Sequence, residues 1–335
     1  MMADTMLPRA EVGILLYPGC QMAMVHGVTD LLTIAGHFSA EHGGPVLRVS
    51  HWERDEEHGF TRSYDTHEAE ALGGTPEILL IPGRLTGPPD AEESAPYARW
   101  LLDRHAQGAT LASNCGGAFM LAATGLLNGR PATTHWLFAD RFRERFPKVR
   151  LDSDRMVIDD GDIITAGGLM AWTDLGLRLV DRLLGPTVML DTGKFLLVDP
   201  AGREQRHYAR FVPRLTHGDE PILKVQHWLQ AREAKVVSVG EMAGQVGMEE
   251  RTFQRRFKAA TGMTPIEYAQ HLRIAKAREL LEFTRRTVDQ IAWSVGYEDA
   301  AAFRKLFHRL VGLSPGDYRQ RFAVPHAQAV SARAA

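Results

Sequence analysis

Two stretches near the end of the chain read VGEMAGQVGMEERTFQRRFKAATG (residues 239–262) and VDQIAWSVGYEDAAAFRKLFHRLVG (residues 288–312). In each, an apolar helical pattern is followed by a glycine suited to a tight turn, a short polar break and a second helical pattern with cations. The second pattern carries two phenylalanines one helical turn apart, at Phe253 and Phe257 in the first copy and at Phe303 and Phe307 in the second. The repeat predicts two helix-turn-helix units in tandem.

A tandem helix-turn-helix suits two adjacent contacts with double-stranded DNA, because each unit holds its second helix in a major groove. The surrounding region, residues 220–322, is predicted to be all-α with seven helices. It opens with ILKVQHWLQARE (222–233), and the long pattern PIEYAQHLRIAKARELLE (265–282) joins the two units. Beyond it, residues 323–335 are predicted to be a disordered tail.

Length and charge favour two domains of different character. The chain has 335 residues, of which 44% are apolar and 24% charged, as in soluble globular proteins. Residues 1–215 hold 21 Lys and Arg against 28 Asp and Glu, whereas residues 216–335 hold 18 against 13. A net charge of −7 followed by +5 suits a small-molecule domain joined to a reader of nucleic acid.

Several classes of protein are disfavoured by the sequence. No apolar run is long enough to span a membrane and the first residues carry no signal core, so we expect a cytoplasmic protein without a membrane partner. The two cysteines, Cys20 and Cys115, make no metal or disulfide pattern, and six histidines of the first part (His26, His37, His42, His51, His58 and His67) are expected on the surface or in loops. Phosphate-binding glycine loops are absent, so neither a metal nor a cofactor is expected.

The first part of the chain alternates strand-like and helical patterns. Strands are predicted at 12–17, 45–52, 77–83 and 109–115, a hairpin at 155–167, and helices at 28–40, 95–108, 116–127 and 168–185. This alternation predicts an α/β domain of the flavodoxin-like kind, with a mostly parallel sheet and helices on both faces. We expect it to occupy residues 1–200, with a linker rich in Pro, Gly and charge at 201–219.

Residues 220–322 resemble the DNA-binding domain of AraC-type transcriptional regulators. The resemblance rests on the paired phenylalanines, Gly296-Tyr297 and the ending GLSPGDYR (312–319). It implies an activator that works with RNA polymerase. It also implies base-reading roles for three exposed positions of the first unit, and the side chains fit, since Arg suits guanine and Gln suits adenine. These positions are Arg251, Gln254 and Arg255, with Arg256 and Lys258 expected on phosphates.

The second unit offers a different set of side chains on the equivalent face. They are Ala300, Ala301, Arg304 and Lys305. Alanine side chains donate no hydrogen bonds, although they can pack against thymine methyl groups. We therefore expect the first unit to specify sequence and the second mainly to anchor the protein on DNA.

In the first domain, ASNCGGAFMLAATGLL (112–127) places Cys115 between a strand and a helix that opens with two glycines. This pattern predicts a nucleophile elbow, with the thiol at a helix N-terminus where the helix dipole lowers its pKa. The candidate pocket comprises Cys115, its neighbours Asn114 and Gly116, the turn glycine Gly83 and the possible base His135.

The elbow and ATTHW (132–136) resemble the PfpI/ThiJ branch of the class I glutamine amidotransferase-like superfamily, over residues 10–190. Enzymes of that branch add a glutamate near the cysteine. Its place here falls near Met24, where the only close Gln or Glu is Gln21, and Asp30 is a weak substitute. The fusion to an AraC-type reader implies a sensor in which Cys115 and His135 are vestigial rather than catalytic.

Three interpretations of Cys115 remain open: the floor of a metabolite pocket, a redox-sensing or modified thiol, and a nucleophile paired with His135. Trp136 and Trp172 either flank that pocket, where aromatic rings would suit a cationic ligand, or belong to the core. We expect a homodimeric transcriptional regulator controlled by a small molecule of the amine or amino-acid kind. The alternatives are a cysteine hydrolase or hydratase, or a thiol redox sensor, fused to a DNA-binding domain.

Overall fold

The computed structural model describes residues 10–67, 76–199, 203–233, 235 and 238–324. It divides into two compact units, the first ending at Gln205 and the second beginning at Arg206. Each unit has its own hydrophobic core, and each is described by itself below.

The first unit is built around a sheet of seven strands within its described residues. These are β1 (Ala10–Leu16), β2 (Leu47–Asp55), β3 (Gly59–Asp65), β4 (Ile78–Ile81), β5 (Thr110–Asn114), β8 (Val157–Asp159) and β9 (Ile163–Ala166). Two short strands, β6 (Pro131–Ala132) and β7 (Arg150–Leu151), pair separately. The spatial order is β3-β2-β1-β4-β5-β9-β8.

The five inner strands of this sheet are parallel, and β3 and β8 pair antiparallel at its two edges. Among the parallel strands the order is second, first, third, fourth, fifth, which is the flavodoxin-like order predicted from the sequence. In such sheets ligands bind beyond the carboxyl ends of the strands where the order reverses. That position lies here between the ends of β1 and β4, next to the end of β5.

Six α-helices accompany the sheet: α1 (Met22–Glu41), α2 (Ala91–Ala106), α3 (Gly117–Ala123), α4 (Ala139–Arg145), α5 (Trp172–Leu184) and α6 (Pro186–Leu196). Helix α1 packs against α5 and α6, and α2 packs against α3. Every residue of β4 and β5 is buried, which requires helical cover on both faces of the sheet. The predicted fold class is confirmed for this unit.

Several elements of the first unit differ from their predicted bounds. Helix α2 begins earlier than predicted because Asp90 and Glu93 form a capping box at its start. Strand β3 and helices α4 and α6 had no predicted counterpart. Among the histidines expected on the surface, His51 is buried in β2, where its Nε2 lies 2.9 Å from the hydroxyl of Thr29.

The second unit contains seven α-helices in its described residues, as predicted. They are α7 (Glu220–Ala231), α8 (Val239–Gly244), α9 (Glu250–Thr261), α10 (Pro265–Phe283), α11 (Val288–Ser294), α12 (Ala300–Val311) and α13 (Pro315–Phe322). They enclose two cores, one for each helix-turn-helix. The first takes side chains of α7, α8, α9 and the start of α10, and the second takes the rest of α10 with α11, α12 and α13.

The expected linker and tail need correction at their edges. Within the segment 201–219, residues 203–205 belong to the first unit and residues from 206 onwards to the second, because each part hydrogen-bonds to its own unit. At the other end, the backbone N–H of Val324 donates to the carbonyl of Glu282 at 3.0 Å, so the ordered chain continues beyond 322. The remainder of the predicted tail, 325–335, lies outside the described residues.

Candidate nucleic-acid interface and effector site

The second helix of the first helix-turn-helix, α9, has one buried and one exposed side. Phe253 and Phe257 are fully buried in the first core, with ring centroids 5.5 Å apart. The side chains expected to read bases or contact phosphate are exposed to solvent; they are Arg251, Gln254, Arg255 and Lys258. The phenylalanines therefore fix α9 in the core, and its other side presents hydrogen-bonding groups to a partner. Each arginine offers five N–H donors, and the amide of Gln254 both donates and accepts.

Arg256 makes a different contact from the one predicted for it. Its guanidinium forms two hydrogen bonds with Asp219, at 3.1 Å from Nε and 2.9 Å from Nη2. Asp219 is also the N-cap of α7, where it accepts from the N–H of Ile222. Arg256 thus ties α9 to α7 within the unit, and its contact with phosphate stays a prediction.

Helix α12 repeats this design with different exposed side chains. Phe303 and Phe307 are fully buried, whereas Ala301, Arg304 and Lys305 are exposed. Arg304 donates to Asp289 of α11 at 2.5 Å. Ala300, which was expected on the exposed face, is half-buried against the second core. Ala302 is exposed on α12 but was not predicted, because its side chain has no polar group.

In the first unit, Cys115 follows β5 directly and has a strained backbone. Its φ is 52°, in the left-handed region that residues with a β-carbon rarely adopt. The conformation is held by two hydrogen bonds: its N–H donates to the carbonyl of Ala166 at 2.7 Å, and its own carbonyl accepts from the Thr134 hydroxyl at 2.8 Å. The predicted elbow is therefore present.

Glycines around the elbow allow three chain segments to meet there. A β-carbon on Gly117 would lie 2.5 Å from the carbonyl oxygen of Ile81, at the end of β4. One on Gly83 would lie 2.8 Å from Cβ of Cys115, and one on Gly116 would lie 3.1 Å from Cα of Pro88. Gly83 and Gly116 are thus brought to Cys115, as the sequence predicted.

The thiol itself is in an environment that opposes ionisation. Cys115 is 1% exposed, and burial raises the pKa of its thiol to about 12. The sequence-based prediction of a lowered pKa is wrong in direction, because desolvation outweighs the hydrogen bond from the backbone of Gly116. A thiol that stays protonated is a poor nucleophile and a slow target for oxidants.

His135 is not arranged as a base for this thiol. Its Nδ1 accepts from the N–H of Leu137 at 3.1 Å, so the neutral ring carries its proton on Nε2. Burial lowers the pKa of the ring, which keeps it neutral. No hydrogen bond joins His135 to Cys115 in the described part of the unit.

The position expected for a catalytic acid holds none. Met24 is fully buried in the core, and Asp30 is exposed on α1. The polar residue near this place is Gln21, which is 4% exposed and precedes α1. Its N–H donates to the carbonyl of Gly83 at 2.8 Å, so the chain of Gln21 runs beside the elbow glycine.

Among the described residues, four buried polar atoms at or near the elbow have no hydrogen-bond partner. Asn114 is fully buried; its Nδ2 donates to the carbonyl of Leu169 at 3.2 Å, which fixes the orientation of the amide and leaves Oδ1 unpaired. The other three are Oγ of Ser113, Oε1 of Gln21 and Nε1 of Trp172. An unpaired buried polar atom is costly, so such atoms mark places where water or a ligand binds.

Both tryptophans singled out in the sequence lie near these segments. The Trp172 ring packs so closely on α1 that a β-carbon on Gly27 would meet it at 2.5 Å. The Trp136 ring lies 5.5 Å from that of His135. Its backbone N–H donates to Oε1 of Gln205 at 3.0 Å.

Sequence reasoning missed two polar residues that support the elbow. Thr134 holds the carbonyl of Cys115, and Gln205 donates in turn to the carbonyl of Thr134 at 2.9 Å. Thr134 stands in the ATTHW stretch and could have been found there. Gln205 carried no signal, because its partners lie 50 to 72 residues away in sequence.

The described residues contain neither a cluster of metal ligands nor a helix that could cross a membrane. In the ranges that the structure describes, no three or more His, Cys, Asp and Glu side chains gather as metal ligands would. Among the described helices, none combines the length and apolarity that crossing a membrane requires. Both cysteines are free and buried.

An α/β unit with a strained cysteine elbow, followed by a double helix-turn-helix, defines a class of DNA-binding protein. Residues 242–321 match the model of a helix-turn-helix domain, and residues 29–182 match that of the DJ-1/PfpI family. The second part of the chain is thus a helix-turn-helix domain of the kind found in AraC-type regulators, and the first part is a DJ-1/PfpI domain.

Similar proteins include two regulators of Pseudomonas aeruginosa. The HTH-type transcriptional regulator CdhR is 28% identical over 222 residues, 66% of this chain and 66% of its own length. The HTH-type transcriptional regulator ArgR is 29% identical over 215 residues, 64% of this chain and 65% of its own length. The chain thus matches slightly less than two thirds of the length of either relative.

Among solved structures, an AraC family transcriptional regulator from Pseudomonas putida is similar to the first part of the chain. It has 23% sequence identity and a TM-score of 0.45, and the match covers 56% of this chain and 99% of that one.

Proposed function

We propose that this protein is a transcriptional regulator that binds DNA through α9 and α12 and responds to a small molecule bound beside the Cys115 elbow. The observation that carries the first half is the exposed row of Arg251, Gln254 and Arg255 on a helix whose other side is fixed in a core. Bidentate donors on a rigid helix are what base recognition in a major groove requires.

The second half of the proposal treats the first unit as a sensor without catalysis. A thiol with a pKa of about 12 and an imidazole whose Nδ1 is already engaged supply neither a nucleophile nor its base. The same burial disfavours a thiol redox switch. The elbow instead supports a binding site, since the unpaired Oδ1 of Asn114 directly precedes Cys115 in the chain and Gln21, which is also unpaired at Oε1, is hydrogen-bonded to Gly83.

Two of the unpaired atoms, the amide oxygens of Asn114 and Gln21, favour an effector that donates hydrogen bonds. Oδ1 of Asn114 and Oε1 of Gln21 are both acceptors, and both belong to uncharged side chains. An amine or amino acid offers N–H donors and a positive charge that aromatic rings such as Trp172 attract. A quaternary ammonium has the charge without the donors, so it would leave both acceptors unpaired.

Effector binding would act on DNA affinity through the arrangement of the two units, or of two subunits of a homodimer. The recognition helices would then reach successive major grooves about 10 base pairs apart. Dimerisation would add avidity on paired sites. The resemblance to AraC-type regulators favours an activator that works with RNA polymerase. We expect it to act in the cytoplasm.

The test is a thermal-shift screen of the full-length protein with primary amines, amino acids, small carboxylates and trimethylated counterparts of the amines. At a hundred times its Kd an effector adds roughly 2.7 kcal/mol to the stability of the unit that it binds. We expect a primary amine or amino acid to raise the melting temperature and to be recovered unchanged. Consumption of the compound by the wild type but not by Cys115→Ser would replace the sensor with an enzyme.

A matched pair of variants locates the site. Asn114→Leu removes the buried unpaired acceptor, whereas Asn128→Leu makes the same change at an exposed position. The first should abolish the shift caused by the amine, and the second should leave it intact. Equal shifts in both variants would exclude Asn114 from the effector site.

A further inference from the structure

The chain leaves the first unit through three residues that are firmly bonded to it. Arg203 donates to Asp174 at 3.1 Å and to the hydroxyl of Thr173 at 2.9 Å, both in the first turn of α5. Glu204 forms a β-bridge with Arg155. The N–H of Gln205 donates to the carbonyl of Asp154 at 2.8 Å. The end of this unit is therefore part of its packed structure.

The side chain of Gln205 is bonded directly to the support of the elbow. It is 2% exposed, and its NH2 group, with two hydrogens to donate, has three acceptors within reach of Nε2: the hydroxyl of Thr133 at 3.0 Å and the carbonyls of Thr134 and Arg155, both at 2.9 Å. Thr134 in turn donates to the carbonyl of Cys115. Only one residue thus separates the exit of the unit from the strained cysteine.

Residues 207–209 are likewise hydrogen-bonded, in this case to side chains of the second unit. Arg278 of α10 donates to the carbonyls of His207 (2.7 Å) and Ala209, and its Nε donates to the hydroxyl of Tyr318. Arg321 of α13 donates to the hydroxyl of Tyr208 at 2.7 Å. The segment therefore contacts both the helix that joins the two helix-turn-helix units and the last helix.

The segment continues along this unit as far as α9, the recognition helix of the first helix-turn-helix. The Phe211 ring lies 5.1 Å from that of Tyr268 and 5.0 Å from that of His271, both on α10. Gln226 of α7 donates to the carbonyl of Arg214 at 3.0 Å. The segment ends at Asp219, whose carboxylate holds Arg256, the neighbour of Arg255 on α9.

We propose that residues 203–219 are a coupling segment rather than a flexible linker, and that Gln205 is its positioning residue. A change in the backbone of Cys115 and Thr134 alters the position of the Gln205 side chain, and the residues that follow Gln205 in the chain carry that change to α10 and α9. This inference rests on the proposed function in that the signal is effector binding and the output is DNA affinity.

The first test needs neither effector nor DNA. Gly167→Ala places a β-carbon 2.0 Å from Nε2 of Gln205 and so expels the side chain, whereas a β-carbon on Gly168 would meet nothing within 4 Å. We expect trypsin to cut after Arg206 and Arg210 about tenfold faster in Gly167→Ala than in wild type or Gly168→Ala. Equal cutting in all three proteins, at the rate of an unfolded peptide, would establish a flexible linker and overturn the proposal.

Gln205→Glu gives the same test without a change of shape, because it replaces the donor amide with an acceptor facing three acceptors. Gln107→Glu, at the exposed end of α2, adds the same charge elsewhere. We expect faster cutting after Arg206 in the first variant only. Wild-type cutting in Gln205→Glu would remove Gln205 from its positioning role.

The second test measures coupling by reciprocity, since DNA must act on the elbow if the elbow acts on DNA. The probe is a duplex enriched from a random library by the full-length protein. In wild type we expect this duplex to slow amide exchange at Trp136 and Gln205 by about threefold or more. A flexible insertion of six residues, alternating Gly and Ser, between Gln205 and Arg206 should abolish that response. The affinity for the duplex should stay within about twofold of wild type.

The same response in the insertion variant, or no response in wild type, would overturn the coupling segment. Failure to enrich any duplex would instead overturn the proposed function. The trypsin comparison would in that event still decide whether residues 203–219 are held as described, so the two failures are distinguishable.

Discussion

Cys115 holds a backbone conformation that a residue with a β-carbon rarely adopts, and its surroundings make that possible. Glycine follows it at two positions, and β4 passes so close that any larger residue at Gly117 would overlap a carbonyl oxygen. The strain amounts to about 1–3 kcal/mol and persists because the hydrogen bonds from Thr134 and to Ala166 fix the chain on both sides. Such a site can change shape when a ligand alters one of these bonds.

Gly117→Ala should destabilise the first unit by about 3 kcal/mol, because its β-carbon would lie 2.5 Å and 2.6 Å from the carbonyls of Ile81 and Pro82. Gly36→Ala is the control: it lies inside α1, and its β-carbon would make ordinary contact at 3.7 Å, so a gain of up to about 1 kcal/mol is expected. Denaturant unfolding measures both. Equal stability of the two variants would contradict the close packing at the elbow.

The buried thiol should make stability depend on alkaline pH. In the unfolded chain the thiol of Cys115 ionises near its ordinary pKa of 9.0, whereas in the folded chain its pKa is about 12. Between these values the unfolded state binds fewer protons, so stability falls as pH rises. Denaturant midpoints from pH 8 to 11 should fall less steeply in Cys115→Ser, and an unchanged slope would mean that the thiol is exposed or already ionised.

At the scale of elements, the two helix-turn-helix units use the same devices at a separation of fifty residues. A hydroxyl residue caps the helix after each recognition helix, at Thr264 and Ser314, and each recognition helix ends at a glycine with φ of 80°. Tyr268 and Tyr318 close the two cores in equivalent places. Such features are local, so the sequence alone predicted both units and their buried faces.

The exposed faces of the two units differ, and so should the effects of mutation. Arg255→Ala should relax the preference for one base pair by about 1–3 kcal/mol, because a bidentate donor is lost. Lys305→Ala should instead weaken binding to all duplexes alike and reduce the salt slope by about one. Anisotropy titrations on a duplex and its single-base variants, at several salt concentrations, separate these outcomes. A relaxed base preference in Lys305→Ala would contradict an anchoring role for α12.

On the scale of the whole molecule, the sequence predicted two units and their fold classes but not how the chain passes from one to the other. The segment around Gln205 is rich in charge, and such composition is typical of a linker. Its actual role depends on partners far away in sequence, such as Thr133 and Arg278, whose contacts leave no local pattern. The thiol pKa was also missed, because burial is a property of the folded unit.

Selection of duplexes from a random library by the full-length protein tests the central claim most directly, with Arg255→Ala selected in parallel. The account predicts a motif of two parts about 10 base pairs apart, the first more sharply defined than the second. It also predicts that Arg255→Ala blurs one position of the first part only. A selection that enriches no motif, or one whose motif is identical in the variant, would contradict the account.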